Sequence, residues 1–281
     1  MRYSLSVILF FCTSAICAQY NGDTFASAKA KGSASIYYVY SNAPGFVTMQ
    51  KDGSFTGVCV DIMKQFELFV KEKHNVTLKI DPVANHYSNY PEFLKVVKES
   101  RGGVFGLNTT TITEKRKGIY EISPPFITNV SMLVSNAAAP ALGSLQELPS
   151  KFENMIALTV RNSSNESSLL AWKKKYYPAM KIEYVNTNSE VVQRVASEPN
   201  KFTNIDFIYY FEALRDGKSI VRHAAGDDTN EKFGIIMPKG SDWAPVMAEF
   251  FRSGFMESAE CKKILATHLG QSAMKFFESL K

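Results

Sequence analysis

The chain has 281 residues, and 32 Lys and Arg against 27 Asp and Glu leave a formal net charge of only +5 at pH 7. Charges of both signs are interleaved. The densest basic run, at 173–175, fits a solvated helix face better than a nucleic-acid patch. Composition and charge therefore argue against nucleic acid as a partner, and the length is sufficient for two compact lobes.

The first residues predict export through a cleaved signal peptide at 1–18. Arg2 precedes an apolar run that starts at Val7, and Ala18 is a small residue at the expected cleavage point. The run is shorter than the ~20 residues that a membrane-spanning helix needs. We therefore expect a mature protein in the periplasm.

The four cysteines divide into two pairs. Cys12 and Cys17 lie in the signal segment, and each follows a large residue where a lipoprotein needs a small one, so no lipid anchor is expected. Cys59 and Cys261 remain in the mature chain. In an oxidising compartment two cysteines suggest one disulfide. The alternative is two separate buried thiols, which pack as small hydrophobic groups.

Predicted strands and helices alternate in chain order from residue 35. β-branched and aromatic runs predict strands at 35–40, 77–80 and 102–107. Apolar residues at helical spacing predict helices at 60–72 and 90–99. This alternation is typical of an α/β fold with a mainly parallel sheet.

The same alternation starts again after residue 130, which indicates a second α/β unit. Its predicted strands lie at 131–134, 155–160, 181–185, 206–209 and 234–237. Its predicted helical segments lie at 166–176, 189–197, 212–216, 245–255 and 259–268, before a closing apolar segment at 276–277.

The segment 107–116, together with the following segment 121–126, carries a resemblance to a known family. It resembles the carboxylate-binding loop of the periplasmic amino-acid-binding proteins. These are the solute-binding components of polar amino-acid ABC importers (bacterial extracellular solute-binding family 3). The matching positions are Thr111, Ile112, Thr113, Arg116, Ser123, Pro125 and Phe126. Three further segments, 53–63, 155–164 and 232–241, are similar in the right order, so the resemblance spans nearly the whole mature chain.

This resemblance implies an α/β, two-lobed, periplasmic-binding-protein-like fold of type II, with the lobes joined by two crossover strands. Lobe 1 would comprise 32–128 plus 233–281, and lobe 2 would comprise 129–232. Cys59 and Cys261 then both fall in lobe 1, which favours the disulfide.

Arg116 is the main candidate for ligand binding. A guanidinium binds a carboxylate through two parallel hydrogen bonds, and a helix start adds unpaired N–H groups. Thr109 and Thr111 offer further donors. In the alternative, Thr113 merely caps a helix and Arg116 lies on a solvated face. The family spacing favours the binding role.

The second lobe is expected to add Ser163 and Ser164, which follow a strand and begin a helix. Ser164 stands where the family uses Ser or Thr. A plain N-cap explains the same residue, and the two roles are compatible.

The chain departs from the family after the strand predicted at 206–209. Amino-acid binders place a carboxylate there for the ligand's ammonium, and counting from Asp206 gives Phe211. Either Glu212 substitutes with a one-residue shift, or the ligand lacks an α-ammonium. The aromatic run 209–211 would line the ligand site in the second case, or it is simply a core strand.

The chain also departs from the family pattern at the end of the first predicted strand. The family often places an aromatic side chain over the ligand there, whereas this chain has Ala43, Pro44 and Gly45. Tyr40 and Phe46 flank these residues and are the candidates for that role.

We therefore predict a monomeric solute-binding protein, not an enzyme, that captures an amino-acid-like or carboxylate-bearing solute by hinge closure for an ABC permease. No cofactor or metal is expected, because the histidines show no metal-ligand spacing and no catalytic motif is present. The alternatives are a ligand-sensing receptor module and a dehydratase-like enzyme on the same fold, with Glu212 as the candidate acid or base.

Overall fold

The computed structural model describes residues 20–86 and 89–279, and the predicted signal peptide lies outside them. The strands are β1 (Ser33–Tyr40), β2 (Thr48–Met49), β3 (Phe55–Thr56), β4 (Thr77–His86), β5 (Val104–Leu107), β6 (Tyr120–Ile122), β7 (Ile127–Thr128), β8 (Ser131–Asn136), β9 (Ile156–Val160), β10 (Lys181–Val185), β11 (Lys201–Asp206), β12 (Ile220–Asp228), β13 (Lys232–Phe233) and β14 (Ile236–Pro238). The helices are α1 (Phe25–Lys31), α2 (Val58–His74), α3 (Tyr90–Glu99), α4 (Glu114–Lys117), α5 (Leu148–Lys151), α6 (Ser164–Lys175), α7 (Asn188–Ser197), α8 (Phe207–Arg215), α9 (Trp243–Arg252) and α10 (Ala259–Ser279). No stretch of the described helices has the length and apolarity of a bilayer-spanning segment.

Two five-stranded mixed sheets form the frame of the molecule. The first has the order β4-β1-β5-β14-β6, in which β1 runs parallel to β4 and β5, and β14 runs antiparallel to its neighbours. The second has the order β10-β9-β11-β8-β12, in which β9 runs parallel to β10 and β11, and β8 runs antiparallel to its neighbours. We call the elements around the first sheet lobe 1 and those around the second sheet lobe 2.

The chain passes between the lobes twice, at a short antiparallel ladder. β7 leads from lobe 1 to lobe 2 and β13 leads back, with Ile127 opposite Phe233 and Thr128 opposite Lys232. These are the two crossover strands, so the predicted two-lobed α/β fold is confirmed. The residue bounds given above for the lobes stay a prediction.

Aromatic side chains pack where the lobes meet. Phe46 is fully buried, and its ring centroid lies 5.7 Å from Phe233, 6.1 Å from Phe126 and 6.3 Å from Phe207. Burial of each phenylalanine side chain contributes roughly 1.5–3 kcal/mol. Phe46 is therefore a core residue that holds lobe 1 against the crossover and the start of α8.

Helix α8 stands where a strand was predicted at 206–209. The preceding strand β11 ends at Asp206, and the helix begins at the next residue. Phe207 and Phe211 are one helical turn apart, and both pack against the aromatic pair 276–277 at the end of α10. The prediction followed the strand preference of aromatic residues, whereas packing on α10 selects the helix.

Cys59 and Cys261 are two free, buried thiols, so the predicted disulfide is not formed. The Cys59 Sγ is directed at the carbonyl oxygen of Asn108, 3.9 Å away, and burial raises the pKa of its thiol to about 12. Cys261 lies near the start of α10 and packs in the same core. Both residues fill space as small hydrophobic groups.

Candidate ligand-binding site

Arg116 lies in the interior between the lobes. The short helix α4 begins at the N-cap Thr113, whose Oγ1 accepts the Arg116 backbone N–H at 3.2 Å. The side chain is only 8% exposed, and its guanidinium lies 5.6 Å from the ring centroid of Tyr90. It donates to the carbonyl oxygen of Thr111 at 2.7 Å and to that of Asn162, in lobe 2, at 3.1 Å. The solvated-face alternative is therefore wrong, whereas the anchoring role stays a prediction.

Hydroxyl groups connect the two lobes directly beside Arg116. Thr111 Oγ1 of lobe 1 lies 3.0 Å from Ser164 Oγ of lobe 2, and it also lies 3.2 Å from Glu231 Oε2. Each hydroxyl has one hydrogen, so a consistent chain has Ser164 donating to Thr111 and Thr111 donating to Glu231. Thr109, also predicted at this site, is buried and donates to the Asn108 Oδ1 at 3.3 Å.

Ser163 is the N-cap of α6 in lobe 2. Its Oγ accepts the backbone N–H of Glu166 at 3.0 Å and donates to the Val160 carbonyl at 2.7 Å. Asn162 precedes it with a φ of 63°, in the left-handed region, which turns the chain sharply from β9 into the helix. The start of this 12-residue helix therefore faces Arg116, so a carboxylate held by the guanidinium would also lie near its unpaired N–H groups.

A pair of buried carboxyl groups lies in the same place, and sequence analysis missed it. Asp206, at the end of β11, and Glu231, just before β13, are joined by Asn129. The Asn129 Nδ2 donates to Asp206 Oδ1 at 2.8 Å and to Glu231 Oε2 at 2.7 Å. Asn165 Nδ2 donates to Asp206 Oδ1 as well, at 3.2 Å. The Asn129 Oδ1 is buried without a hydrogen-bond partner among the described residues.

Burial sets the ionisation of this pair. Desolvation, followed by the nearby Glu231 carboxyl, raises the pKa of Asp206 to about 7, against the lowering effect of Asn129, Asn165 and Arg116. Desolvation likewise raises the pKa of Glu231. Two adjacent buried carboxyl groups resist simultaneous ionisation, because each charge disfavours the other. A cationic group brought to them would relieve that penalty.

Two small cavities lie between the lobes at this site, each with a volume of about 20 Å³. Both Arg116 and Asp206 line the first cavity. Its lining comprises Tyr90, Asn108, Thr109, Arg116, Val160, Ser163, Ser164, Asn165, Asn188 and Asp206. The second is lined by Ser41, Asn42, Tyr90, Asn108, Val160, Asn186, Thr187, Asn188 and Tyr209. The four shared residues make the cavities adjacent.

A larger recess of about 390 Å³ lies next to the first cavity. Both lobes line it, and it shares Arg116, Ser163 and Ser164 with the first cavity. Its remaining side chains include Lys95, Lys98, Lys115 and Glu166. Arg116 therefore borders the small polar cavity on one side and a wider recess on the other.

Four predicted site residues, namely Thr111, Glu212, Tyr40 and Phe46, do not line the two small cavities within the described part of the chain. Thr111 forms the hydroxyl bridge between the lobes described above. Glu212 lies on α8 and pairs with Arg215 at 3.5 Å. The Tyr40 hydroxyl contacts Met49 Sδ at 3.5 Å, and its ring packs on Phe55 at 4.7 Å. Phe46 lies in the core cluster described above. Tyr40, at the end of β1, and Phe46, in the loop that follows, are both buried in packing contacts, so the expectation that they lie over the ligand is not met at these cavities.

The aromatic run on α8 divides between two environments. Tyr209 is buried and lines the second cavity. Phe211 packs on Phe276 at a centroid distance of 5.4 Å. The core-strand alternative for this run is therefore wrong, since the run is helical, and the ligand-lining alternative stays a prediction. Successive residues of a helix point in different directions, which is why Tyr209 borders a cavity and Phe211 packs on α10.

No group of His, Cys, Asp and Glu in the described residues has the arrangement of a metal site. His223 is buried and is held structurally. It lies 2.8 Å from Ser135 Oγ, and its Nδ1 accepts the Leu142 backbone N–H at 3.1 Å. Burial lowers the pKa of His223.

Comparisons with known proteins identify solved structures that share this fold. No family model matches the chain, and no curated protein matches it in sequence. An ancestral arginine-binding protein bound to arginine matches in structure with a TM-score of 0.66 at 17% identity, covering 84% of this chain and 98% of that chain. A substrate-binding protein of an ABC uptake transporter from Streptococcus pneumoniae, with bound histidine, matches with a TM-score of 0.67 at 16% identity. The match covers 88% of this chain and 96% of that chain. The GluR0 ligand-binding core from Nostoc punctiforme, in complex with L-glutamate, matches with a TM-score of 0.64 at 16% identity, covering 83% and 98%.

At these identities the likeness establishes the fold. The chain has the two-lobed α/β architecture of the amino-acid-binding proteins. The fold that the resemblance implies is thus confirmed by the structural neighbours.

Proposed function

We propose that the mature protein is a periplasmic solute-binding protein that captures an amino-acid-like ligand by hinge closure and delivers it to an ABC importer. One observation carries the proposal. A single small cavity between the lobes is bordered by the guanidinium of Arg116 and the carboxyl of Asp206. A zwitterion presents the complementary pair of charges, a carboxylate and an ammonium.

Arg116 would receive the carboxylate. A guanidinium has five N–H donors, and its two hydrogen bonds to the backbone carbonyls of Thr111 and Asn162 hold it in place. The first turn of α6, with Ser163 and Ser164, supplies further donors from the opposite lobe. These charge-assisted hydrogen bonds would form in a site shielded from water, where they are strongest.

Asp206 would receive the ammonium. It lies at the carboxyl end of β11 and lines the same cavity as Arg116, whereas Glu212 lies outside that lining and pairs with Arg215. The geometry therefore favours Asp206 over Glu212 as the acidic partner. An ammonium at Asp206 would favour the ionised carboxylate, which burial alone disfavours.

Closure would follow from contacts that both lobes make with the same solute. Arg116 and Thr111 belong to lobe 1, while Ser164 and Asp206 belong to lobe 2. A ligand that binds both sets stabilises the closed arrangement over any open one. Export through the predicted signal peptide, a monomeric state and recognition by a membrane permease complete the proposal.

The test is calorimetry of the purified mature protein against a panel of amino acids and small carboxylates. Arg116→Ala should weaken the best ligand by at least about 100-fold, because it removes charge-assisted hydrogen bonds worth roughly 1.5–3 kcal/mol each. Arg215→Ala is the matched control, since Arg215 is 70% exposed and lies outside the cavity lining. Unchanged affinity in a folded Arg116→Ala protein would overturn the proposal.

Chromatography of the recovered ligand separates binding from catalysis. We expect the ligand to be released unchanged after prolonged incubation. Conversion to product would instead favour the dehydratase-like alternative, with the buried Asp206 as the acid or base in place of Glu212. A ligand-sensing module would bind in the same way, so transport itself is tested by uptake in cells that lack the protein.

A further inference from the structure

The second small cavity adjoins the first between the lobes. The two share Tyr90, Asn108, Val160 and Asn188 as lining residues. A zwitterion held between Arg116 and the carboxyl at the end of β11 would occupy the first cavity. Its side chain would then continue into the second.

The lining of the second cavity carries no formal charge. Its polar part comprises amide and hydroxyl side chains, and its apolar part comprises the two tyrosine rings and Val160. A cationic side chain would find no carboxylate in this lining, and an anionic side chain would find no basic group. Burial of a charge without a partner is strongly unfavourable, so both classes of ligand are disfavoured.

Two side-chain amides on the rim face the cavity from opposite lobes. Asn42 follows β1 in lobe 1, and Asn186 follows β10 in lobe 2. Both are exposed, and neither side-chain amide forms a hydrogen bond to the described part of the chain. By contrast, the Asn108 amide donates to the Ser41 carbonyl at 2.6 Å, and Thr187 caps α7. Asn42 and Asn186 are therefore two lining amides, one from each lobe, that are free to bind a ligand.

The volume of the second cavity limits the size of the ligand's side chain. A cavity of about 20 Å³ exceeds the 10–15 Å³ that one water needs by less than a factor of about two. The cavity must therefore widen for any side chain, and a side chain of a few heavy atoms needs the least widening. A long side chain such as that of arginine or lysine would have to hold the lobes apart.

We infer that the second cavity selects α-amino acids with a short, uncharged side chain that ends in an amide or hydroxyl group. The inference rests on the proposed function and specifies its ligand class. Binding by Asn42 and Asn186 would add contacts from both lobes, so the preferred side chain would also favour closure.

Calorimetry of the full mature chain tests the inference with serine, asparagine, glutamine, leucine, glutamate and arginine. We expect asparagine and serine to bind at least tenfold more tightly than glutamate and arginine. Asn186→Asp should weaken asparagine about tenfold and improve binding of 2,4-diaminobutyrate, a short basic amino acid. Asn200→Asp adds the same charge on an exposed turn outside the cavity lining and should leave this ranking unchanged.

The outcomes distinguish the two proposals. Tightest binding of arginine or glutamate, or an unchanged ranking in Asn186→Asp while Arg116→Ala still abolishes binding, would overturn this inference and leave the proposed function standing. No binding of any amino acid by the folded protein would overturn both.

Discussion

The two ends of the proposed ligand site are built in different ways. At the carboxylate end, Arg116 and its supporting threonines lie within one short segment, 107–116. At the ammonium end, Asp206, Asn129 and Glu231 come from three distant segments and meet only between the lobes. The charged group of the first end belongs to a local motif, to which Ser163 and Ser164 add donors from lobe 2. The second end is assembled wholly from distant segments. Charged groups from distant segments can act together when folding buries them next to each other.

We expect the largest change in ligand affinity for Asp206→Asn. The variant removes the charge that would pair with an ammonium, and we expect amino-acid affinity to fall about 100-fold, or roughly 3 kcal/mol. A small carboxylate without an ammonium should bind the variant and the parent protein equally. Calorimetry with both ligand classes measures the difference. An equal loss for both classes would show that the two ends of the site are not independent.

The pH dependence of binding should also differ between amino acids and ligands that lack an ammonium. Because the pKa of Asp206 is raised to about 7, its carboxyl group is mostly protonated below that pH. Amino-acid affinity should therefore fall up to about tenfold per pH unit between pH 7 and pH 5, and level off above pH 7. A ligand without an ammonium should show little of this decline. Titration calorimetry across pH 5–8 provides the measurement, and a flat profile for amino acids would contradict the assignment.

The same raised pKa affects stability without ligand. The folded Asp206 carboxyl binds its proton more tightly than the unfolded one, whose pKa is near 3.8. Its contribution to the free energy of unfolding is therefore fully present below about pH 4 and is lost as the pH rises through about 7. Asp206→Asn should remove this part of the pH dependence in chemical denaturation.

A smaller effect is expected for Thr111→Val, which keeps the shape of the side chain and removes the hydroxyl that contacts Ser164 and Glu231. Loss of one such bridge costs roughly 1 kcal/mol, so affinity should fall about fivefold for every ligand class. Small-angle scattering should show a more open average shape in the absence of ligand. Thr48→Val, on the peripheral strand β2, is the matched control and should change neither quantity.

The smallest effect is expected for Glu212→Gln. Glu212 pairs with Arg215 outside the two cavities, so we expect less than a twofold change in amino-acid affinity. The measurement is calorimetry in parallel with Asp206→Asn. A loss as large as that of Asp206→Asn would restore Glu212 as the partner of the ammonium.

The sequence did not place Asp206 at the end of a strand, because the pattern of β11 does not predict a strand. Lys201, Thr203 and Asn204 are polar yet buried, which breaks the usual hydrophobic pattern. Each of these polar side chains forms a hydrogen bond with a partner elsewhere in lobe 2. Thr203 Oγ1 donates to the carbonyl of Leu158 at 2.8 Å, and Lys201 Nζ lies 3.1 Å from a carboxyl oxygen on β10. The predicted strand consequently began where β11 ends, so the count for the acidic position reached Phe211, five residues beyond Asp206.

The two-lobed arrangement was what the family resemblance implied, while the sequence by itself determined the alternation of strands and helices in two α/β units and the loop that carries Arg116. These depend on local spacing and on the hydrophobic pattern, which neighbouring residues express without help from distant ones. Only the tertiary structure decided that Asp206 and Glu231 share one buried site, that Phe46 packs in the core, and that Cys59 and Cys261 stay apart. These outcomes depend on which segments meet in space, because burial, pKa and pairing are properties of the surroundings of a side chain.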